Sequence, residues 1–355
     1  MSASPDADDF LPVPAGPVDE SGRIRVGRYA GALDIVRWGY PDGWLAGQFK
    51  RALGRKRWFQ AGVFDDKRVI LVRVIDHGLF GTGIVWVAEL DTGRTTLEHR
   101  LLGIPLANLV VGPFAGRGAD AHVTLPNARL RLGRDPSSTA WHLTAHVPGH
   151  ALSIELDTRN APTPVMLVGE PRTGDGVLVQ RFVGLEARGT VRVRSEVMPL
   201  GPKAQGFLEY GNGFFPRPLA WSTALVAGPP WAFVSDLPTF DVAGQPGSGE
   251  NTLWDGALPK LLASAHLEGS ADTRDPWQVS TSDGALALAF YPRCILTETS
   301  GLGSVVSAGS LASQGLGRTM RHAVVAGRFE GTLRTASGVQ QVERWGLCEA
   351  RAFGT

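Results

Sequence analysis

Residues Arg68-Val-Ile-Leu-Val-Arg-Val-Ile75 contain five β-branched side chains in eight positions. Side chains of this type favour the extended backbone of a strand. A second apolar run follows at residues 84–90 and ends at Asp91-Thr92-Gly93, a tripeptide that suits a tight turn with Gly93 at positive φ. The stretch therefore predicts two strands, with a hairpin turn after the second of them.

The same pattern recurs along the chain, with short apolar or alternating runs separated by Gly, Pro, Asp and Asn. Many short strands at such spacing indicate antiparallel sandwiches or barrels, so we predict an all-β protein. Helices should be few and short, with residues 43–54 as the main candidate. The other predicted strands cover residues 58–64, 152–157, 190–194, 285–290, 328–334 and 339–345.

Two composition changes predict the domain organisation. Residues 1–22 combine four prolines with acidic and small residues, which is typical of a disordered leader. The segment Met198-Pro-Leu-Gly-Pro202 interrupts the strand pattern. We therefore expect an N-terminal β domain over residues 23–198 and a C-terminal β domain over residues 199–355.

The composition excludes several classes of protein. With 45 glycines and 24 prolines, an all-helical bundle is disfavoured, and a net charge of +1 lacks the basic excess of a nucleic-acid binder. The longest apolar stretch, residues 220–234, is broken by Pro229 and Pro230, so no membrane span is expected. The first residues lack the pattern of a secretory signal. We expect a cytoplasmic protein with no nucleic-acid partner and no integral membrane association.

Motifs for cofactors and metals are weak. The order of glycines over residues 78–83 is G-x-x-G-x-G before a strand, which indicates a bend and not a nucleotide-binding loop. His142 and His146 would share one face of a strand, and His150 would follow a turn, so a metal site built on these three histidines stays an open alternative. We predict neither a cofactor nor a metal.

Most of the candidates for chemistry lie in the second half of the chain. Glu209 and Glu250 stand beside aromatic residues, where loss of water raises the proton affinity of a carboxyl group. Such an acid in an apolar cavity can protonate an alkene or a carbonyl. The candidate catalytic residues are Glu209, Glu250, Tyr210, Asp76 and His77, and the candidate substrate-binding residues are Trp58, Trp221, Trp254, Asn212, Arg217, Asn251 and Glu349.

Several of these segments, in this order, resemble the family known as domain of unknown function 2804. The similar segments are Lys56–Asp66, Val74–Gly81, Val87–Gly93, Glu209–Arg217 with Trp221, Glu250–Asn251, Pro276–Trp277, Gly327–Thr332 and Gly346–Glu349. The family is similar to the lipocalin-like group that includes carotenoid 1,2-hydratase and tocopherol cyclase. The resemblance implies two lipocalin-like β domains in tandem and hydration or cyclisation of isoprenoids.

Three hypotheses for function follow. The first is an enzyme that acts on an apolar small molecule, isoprenoid or polyketide-like, by cofactor-free acid/base chemistry such as hydration, isomerisation or cyclisation. The second is a protein that binds a lipid or pigment without chemistry. The third is a carbohydrate-active protein, which would need paired carboxyl groups and stacking tryptophans.

Overall fold

The computed structural model describes residues 10–38, 54–78, 80–172, 175–214, 219–238, 250–269, 274–300 and 320–353. Nearly all of the regular structure in this part of the chain consists of β-strands, which form two sheets. The prediction of an all-β, lipocalin-like fold is confirmed. The predicted helix over residues 43–54 lies outside the described residues, except for Gly54.

The first sheet has 15 strands and folds back on itself into a nearly closed barrel, because β7 and β8 lie against β3 to β6. All its pairings are antiparallel except that of β1 with β2. Its strands are β1 (Leu11–Pro12), β2 (Gly27–Ala30), β3 (Lys56–Phe64), β4 (Arg68–Asp76), β5 (Gly81–Glu89), β6 (Thr95–Gly103), β7 (Leu109–Val111), β8 (Asp120–Leu125), β9 (Ala128–Gly133), β10 (Ala140–Val147), β11 (His150–Asp157), β12 (Val165–Arg172), β13 (Asp175–Val193), β14 (Glu196–Pro199) and β15 (Gln205–Gly213).

The second sheet has nine strands in the order β19-β18-β17-β16-β24-β23-β22-β21-β20. Its longest strands are neighbours and pair with each other in antiparallel register. The strands are β16 (Leu219–Val226), β17 (Ala232–Pro238), β18 (Thr252–Trp254), β19 (Pro259–Leu261), β20 (Ala265–Glu268), β21 (Trp277–Thr281), β22 (Leu286–Ser300), β23 (Met320–Thr335) and β24 (Gly338–Phe353).

The burial of each strand explains its sequence pattern. In β10, Trp141, Leu143 and Ala145 face the core of the first barrel, whereas His142 and His146 are exposed to solvent. Strand β4 is instead buried on both faces, which explains why its sequence is almost continuously apolar. The hairpin predicted at Asp91-Thr92-Gly93 joins β5 to β6, and Gly93 has the expected positive φ of 70°.

The chain divides into two compact units. The first comprises residues 1–215, 227–232 and 253–261, and the second comprises residues 216–226, 233–252 and 262–355. Strand β15, which the predicted boundary at residues 198/199 assigned to the C-terminal domain, pairs with β3 and β13 of the first sheet. The predicted division into two folding domains stays a prediction, with the change between sheets lying after β15.

The predicted leader is also partly ordered. Residues 1–9 lie outside the described part, but β1 pairs with β2, and Leu11 and Val18 pack against the core of the first barrel. Partial burial of these two apolar side chains is the physical reason that this segment lies against the first barrel. Among the described residues, no helix has the length and apolar character needed to span a bilayer.

Candidate functional site

Strand β15 carries several predicted site residues but distributes them over two faces. Side chains alternate along a strand, so Tyr210 and Asn212 point to one side and Glu209 to the other. Tyr210 belongs to the core of the first barrel, together with Leu208 and Phe59. The structure therefore does not bring Glu209 and Tyr210 into one site.

Glu209 lies in a row of four polar side chains that crosses four neighbouring strands. The register places Arg73, Gln60, Glu209 and Arg181 directly opposite one another on β4, β3, β15 and β13. Arg73 Nε donates to Gln60 Oε1 at 2.5 Å, and Arg181 Nε donates to Glu209 Oε2 at 2.9 Å. All four side chains are buried. We refer to these four residues as the buried polar row.

Trp58 also contacts Glu209. Its indole Nε1 donates to Glu209 Oε1 at 2.6 Å. Trp58 pairs with Gly211 across β3 and β15, and a Cβ atom at Gly211 would lie 2.1 Å from Trp58 Cζ2. The absence of a side chain at Gly211 therefore lets the indole lie across β15 and reach Glu209.

Both oxygens of Glu209 accept hydrogen bonds, one of them from a guanidinium group. This arrangement fits an ionised carboxylate. If either oxygen were protonated, its O–H group would point at an N–H group, and two donors cannot form a hydrogen bond with each other. Glu209 is thus placed to stabilise positive charge or to accept a proton. The geometry does not favour the role of proton donor that its sequence context indicated.

Tyr210 and Asn212 form a second buried set, inside the first barrel. Asn212 Nδ2 donates to Tyr210 Oη at 2.6 Å, while Asn212 Oδ1 accepts from Arg55 Nε at 2.8 Å and from Trp38 Nε1 at 3.3 Å. Burial raises the pKa of Tyr210 to about 12. The phenol is therefore neutral and acts as a hydrogen-bonding group near neutral pH.

Asp76 and His77 lie where β4 turns toward β5. Asp76 pairs with Arg57 at 2.5 Å and accepts from the backbone N–H of Gly78 at 2.8 Å. The ring of His77 lies 4.9 Å from that of Phe80, measured between centroids. These contacts close the turn between two strands, which ends before Gly81, so residues 81–83 of the predicted bend belong to β5 instead. A catalytic role for either residue stays a prediction.

Glu250, Asn251 and Trp254 lie in and next to β18, and all three are buried. Trp254 Nε1 donates to the carbonyl oxygen of Thr163 at 2.8 Å, and the carbonyl oxygen of Asn251 accepts from Leu262 N at 2.8 Å. Arg217 lies outside the described residues, as does most of the loop over residues 241–250. The roles predicted for these residues stay predictions.

The second unit contains a buried set that includes the predicted residue Glu349. His322 Nε2 lies 3.1 Å from Glu349 Oε2, and His322 Nδ1 lies 3.8 Å from Glu298 Oε2. Each of these three side chains is at most 4% exposed. We refer to Glu298, His322 and Glu349 as the histidine–carboxylate set.

Trp221 and Thr223 share a sheet face with this set. Thr223 of β16 pairs with Glu349 of β24, and Trp221 precedes Thr223 by two positions, so their side chains point the same way. Both residues are buried. Of the predicted substrate-binding residues, Trp221 and Glu349 thus lie on the same face of the second sheet.

The possible metal site at His142, His146 and His150 would need ligands from both sides of a turn. The turn expected at Pro148-Gly149 separates His142 and His146 from His150. His142 and His146 lie on the solvent side of β10, and His150 begins β11. In the part of the chain that the structure describes, no group of three or more His, Cys, Asp or Glu side chains has a geometry that could hold a metal ion.

Sequence reasoning missed Arg181, Gln60 and Arg73 in the first unit and His322 and Glu298 in the second. One signal was available, because Gln180-Arg181 interrupts an apolar run in β13. Polar residues in the middle of a strand that is otherwise apolar are expected to have buried partners. His322 has no such signal, because it precedes the apolar run of β23 and does not interrupt it.

Comparison with known proteins gives likeness in fold. The chain resembles the crystal structure of kievitone hydratase from Nectria haematococca, with a TM-score of 0.54 and 12% identity over 92% of this chain and 97% of that one. It also resembles CghA, with a TM-score of 0.53 and 11% identity over 85% and 89% of the two chains. A candidate AttH protein from Nitrosomonas europaea gives a TM-score of 0.52 and 13% identity over 84% and 92%.

A search of curated protein sequences finds no significant match. The sequence model of one family, however, matches residues 43–350, which is most of the chain. The order of motifs over the same region indicated this family, and the match confirms it. The chain belongs to the family described as domain of unknown function 2804.

Proposed function

We propose that this protein is an enzyme that transfers protons to or from an apolar small molecule, isoprenoid or polyketide-like, without a cofactor. The reaction would be a hydration, an isomerisation or a cyclisation. The observation that supports the proposal is the buried, ionised carboxylate of Glu209, held by Trp58 and Arg181. A carboxylate that fixed donors orient in this way can exchange a proton with a substrate, because few water molecules compete for it.

The lipocalin-like fold supports the same proposal. One structural neighbour is named a hydratase, so a protein of this fold carries out water addition. The buried Trp58, which contacts Glu209, supplies a ring face that attracts a cationic intermediate.

The test uses deuterium as a label for proton transfer to carbon. The purified full-length protein is incubated in D2O with an apolar extract of the cells that produce it, and the extract is analysed by mass spectrometry. Enzymatic protonation of carbon leaves one or more deuterium atoms in a product that is absent without protein. The Glu209→Gln variant should lower the rate of labelling by at least about a hundredfold, because it removes the charge.

The alternative of a lipid- or pigment-binding protein gives a different result. A ligand would copurify with the protein and stay unlabelled and unchanged in mass during the incubation. That outcome, or equal labelling rates for wild type and Glu209→Gln, would contradict the proposed catalytic role of Glu209. The variant must first match the wild type in its circular dichroism spectrum.

A further inference from the structure

A turn at one end of the first barrel presents apolar side chains to solvent. It covers residues 104–108, between β6 and β7. Leu106 is 95% exposed and Ile104 is 63% exposed, while Leu102, near the end of β6, is 45% exposed. These neighbouring side chains contribute little to the core, and a group of exposed apolar side chains on a protein surface often marks an interaction site.

The backbone of this turn holds Leu106 in an unfavourable conformation. Its φ is 66°, in the left-handed region that a bulky side chain rarely adopts. Hydrogen bonds within the turn fix this conformation, because Asn108 Oδ1 accepts from Ile104 N at 2.7 Å and the carbonyl oxygen of Leu109 accepts from Leu106 N at 3.2 Å. A strained leucine that is almost fully exposed is better explained by an interaction with a partner than by the stability of the fold.

Positively charged side chains lie at the same end of the barrel. Thr124 N donates to the carbonyl oxygen of Asn108 at 2.9 Å, which joins the turn to β8. From Thr124, the register continues across the outer side of the sheet through Arg129, His146, Ala151 and Arg192. Arg194 follows in the turn between β13 and β14. The side chains of all three arginines are exposed.

This end of the barrel has an excess of positive charge. The turns that join β8 to β9, β10 to β11 and β13 to β14 contain no acidic residue, and Glu196 follows the last of them. Among the described residues, no carboxylate forms an ion pair with Arg129, Arg192 or Arg194. Val197, which pairs with Arg192, adds a further exposed apolar side chain. Apolar and cationic side chains therefore alternate along this edge of the molecule.

We refer to Ile104, Leu106, Arg129, Arg192 and Arg194 as the barrel-end surface. We propose that the barrel-end surface docks on a lipid bilayer that carries anionic headgroups. Leu106 and Ile104 enter the boundary between headgroups and acyl chains, and the three arginines contact lipid phosphates.

The size and charge of this surface favour a bilayer over a protein partner. A stable protein–protein interface buries at least about 1,000 Å², far more than a few apolar side chains supply. Interfacial membrane binding needs only a small apolar anchor combined with cations. The inference goes beyond the proposed function and requires no substrate, although an apolar substrate would dissolve in the same bilayer.

The first experiment measures cosedimentation of the full-length protein with lipid vesicles. Vesicles of phosphatidylcholine and phosphatidylglycerol in equal parts should bind the wild type at least about tenfold more tightly than phosphatidylcholine alone. Leu106→Gly should lower the affinity for the mixed vesicles by about tenfold, because burial of a leucine side chain contributes that much. Leu258→Gly is the matched control and should bind like the wild type, since Leu258 is also exposed but precedes β19 of the second sheet.

The second experiment separates the position of the arginines from the net charge of the protein. The double variant Arg129→Gln/Arg192→Gln should bind the mixed vesicles at least about tenfold more weakly than the wild type, because each cation near an anionic surface adds to the affinity. The control Arg23→Gln/Arg94→Gln removes the same charge from two exposed residues and should lose much less affinity. Arg94 lies at the opposite end of β6 from residues 104–108.

The thermal stability of Leu106→Gly distinguishes a docking role from a role in the fold. Glycine adopts a positive φ without strain, so the Tm of this variant should equal or exceed that of the wild type. A lower Tm would show that Leu106 stabilises the fold and would contradict the inference. If Leu106→Gly does not fold, Leu106→Asn takes its place, because asparagine tolerates the same φ and removes the apolar surface.

Three further results would overturn the inference. The first is a wild-type protein that does not sediment with the mixed vesicles. The second is equal binding by Leu106→Gly and Leu258→Gly, or equal losses in the two double variants of arginine. The third is a wild-type dimer that Leu106→Gly dissociates in sedimentation velocity, without vesicle binding, which would assign the surface to a second copy of this chain. Because no substrate takes part, deuterium labelling tests the proposed function separately.

Discussion

The side chains of neighbouring residues in β15 point to opposite faces of the first sheet, and this alternation separates Glu209 from Tyr210. Glu209 accepts hydrogen bonds from Trp58 and Arg181, whereas Tyr210 accepts one from Asn212 inside the barrel. Both side chains are buried, but their partners differ. The Glu209 carboxylate is held by its two donors, whereas burial in the core raises the pKa of the Tyr210 phenol.

Tyr210 predicts a loss of stability at alkaline pH. Its pKa in the folded protein is about 12, against about 10 in an unfolded chain. The unfolded state therefore releases this proton first, and stability falls as pH rises from about 10 toward about 12, by at most about 1.4 kcal/mol per pH unit. Urea unfolding at several pH values, with tyrosinate absorbance as a second signal, measures this effect.

The matched variant is Tyr210→Phe, which should unfold more easily near neutral pH but lose stability less steeply above about pH 10. Burial raises the pKa of Tyr29 in the same direction, so some alkaline dependence should persist in this variant. If wild type and Tyr210→Phe showed the same alkaline slope, the phenol would have to titrate normally in the folded state.

Between β3 and β15, the indole of Trp58 packs closely against the backbone of Gly211. Trp58 crosses β15 at Gly211 to reach Glu209, and an added Cβ atom would lie 2.1 Å from the indole. We expect Gly211→Ala to displace the indole, weaken its hydrogen bond to Glu209 and lower stability by about 1–3 kcal/mol. Chemical denaturation followed by tryptophan fluorescence is the appropriate measurement.

Gly16→Ala is the control for this substitution. No atom lies within 4 Å of an added Cβ at Gly16. The free energy of unfolding of Gly16→Ala should stay within about 0.5 kcal/mol of that of the wild type. A Gly211→Ala protein as stable as Gly16→Ala would show that the indole is not confined over β15.

The two cysteines report on the second unit as a whole. Cys294 and Cys348 are free and buried. Burial raises the pKa of the Cys348 thiol, and the charge of Glu349 raises it further. Since the thiolate is the reactive form, neither cysteine should react with a thiol reagent such as dithionitrobenzoate in the folded protein, and both should react in denaturant. Rapid reaction of either thiol under native conditions would show that this unit opens easily.

Much of the architecture could be predicted because strand signals are local. Alternation, β-branched runs and turn residues such as Asp91-Thr92-Gly93 depend on a few adjacent positions, and the hairpin between β5 and β6 follows from them. The site was predicted only in part. Glu209, Trp58, Tyr210 and Asn212 were identified as buried polar or aromatic candidates, but which of them face each other depends on strand parity and register.

The amino-acid sequence determined the all-β class, the main strands, the family and the group of side chains from which a site could be made, since these depend on composition and short-range pattern. Pairing between distant strands determined which side chains meet. Arg181 reaches Glu209, and His322 reaches Glu349, through registers that join residues about 27 or 28 positions apart. Such contacts depend on the register between strands that are far apart in the sequence. The register is set by the stability of the whole sheet, so it cannot be predicted from any short segment alone.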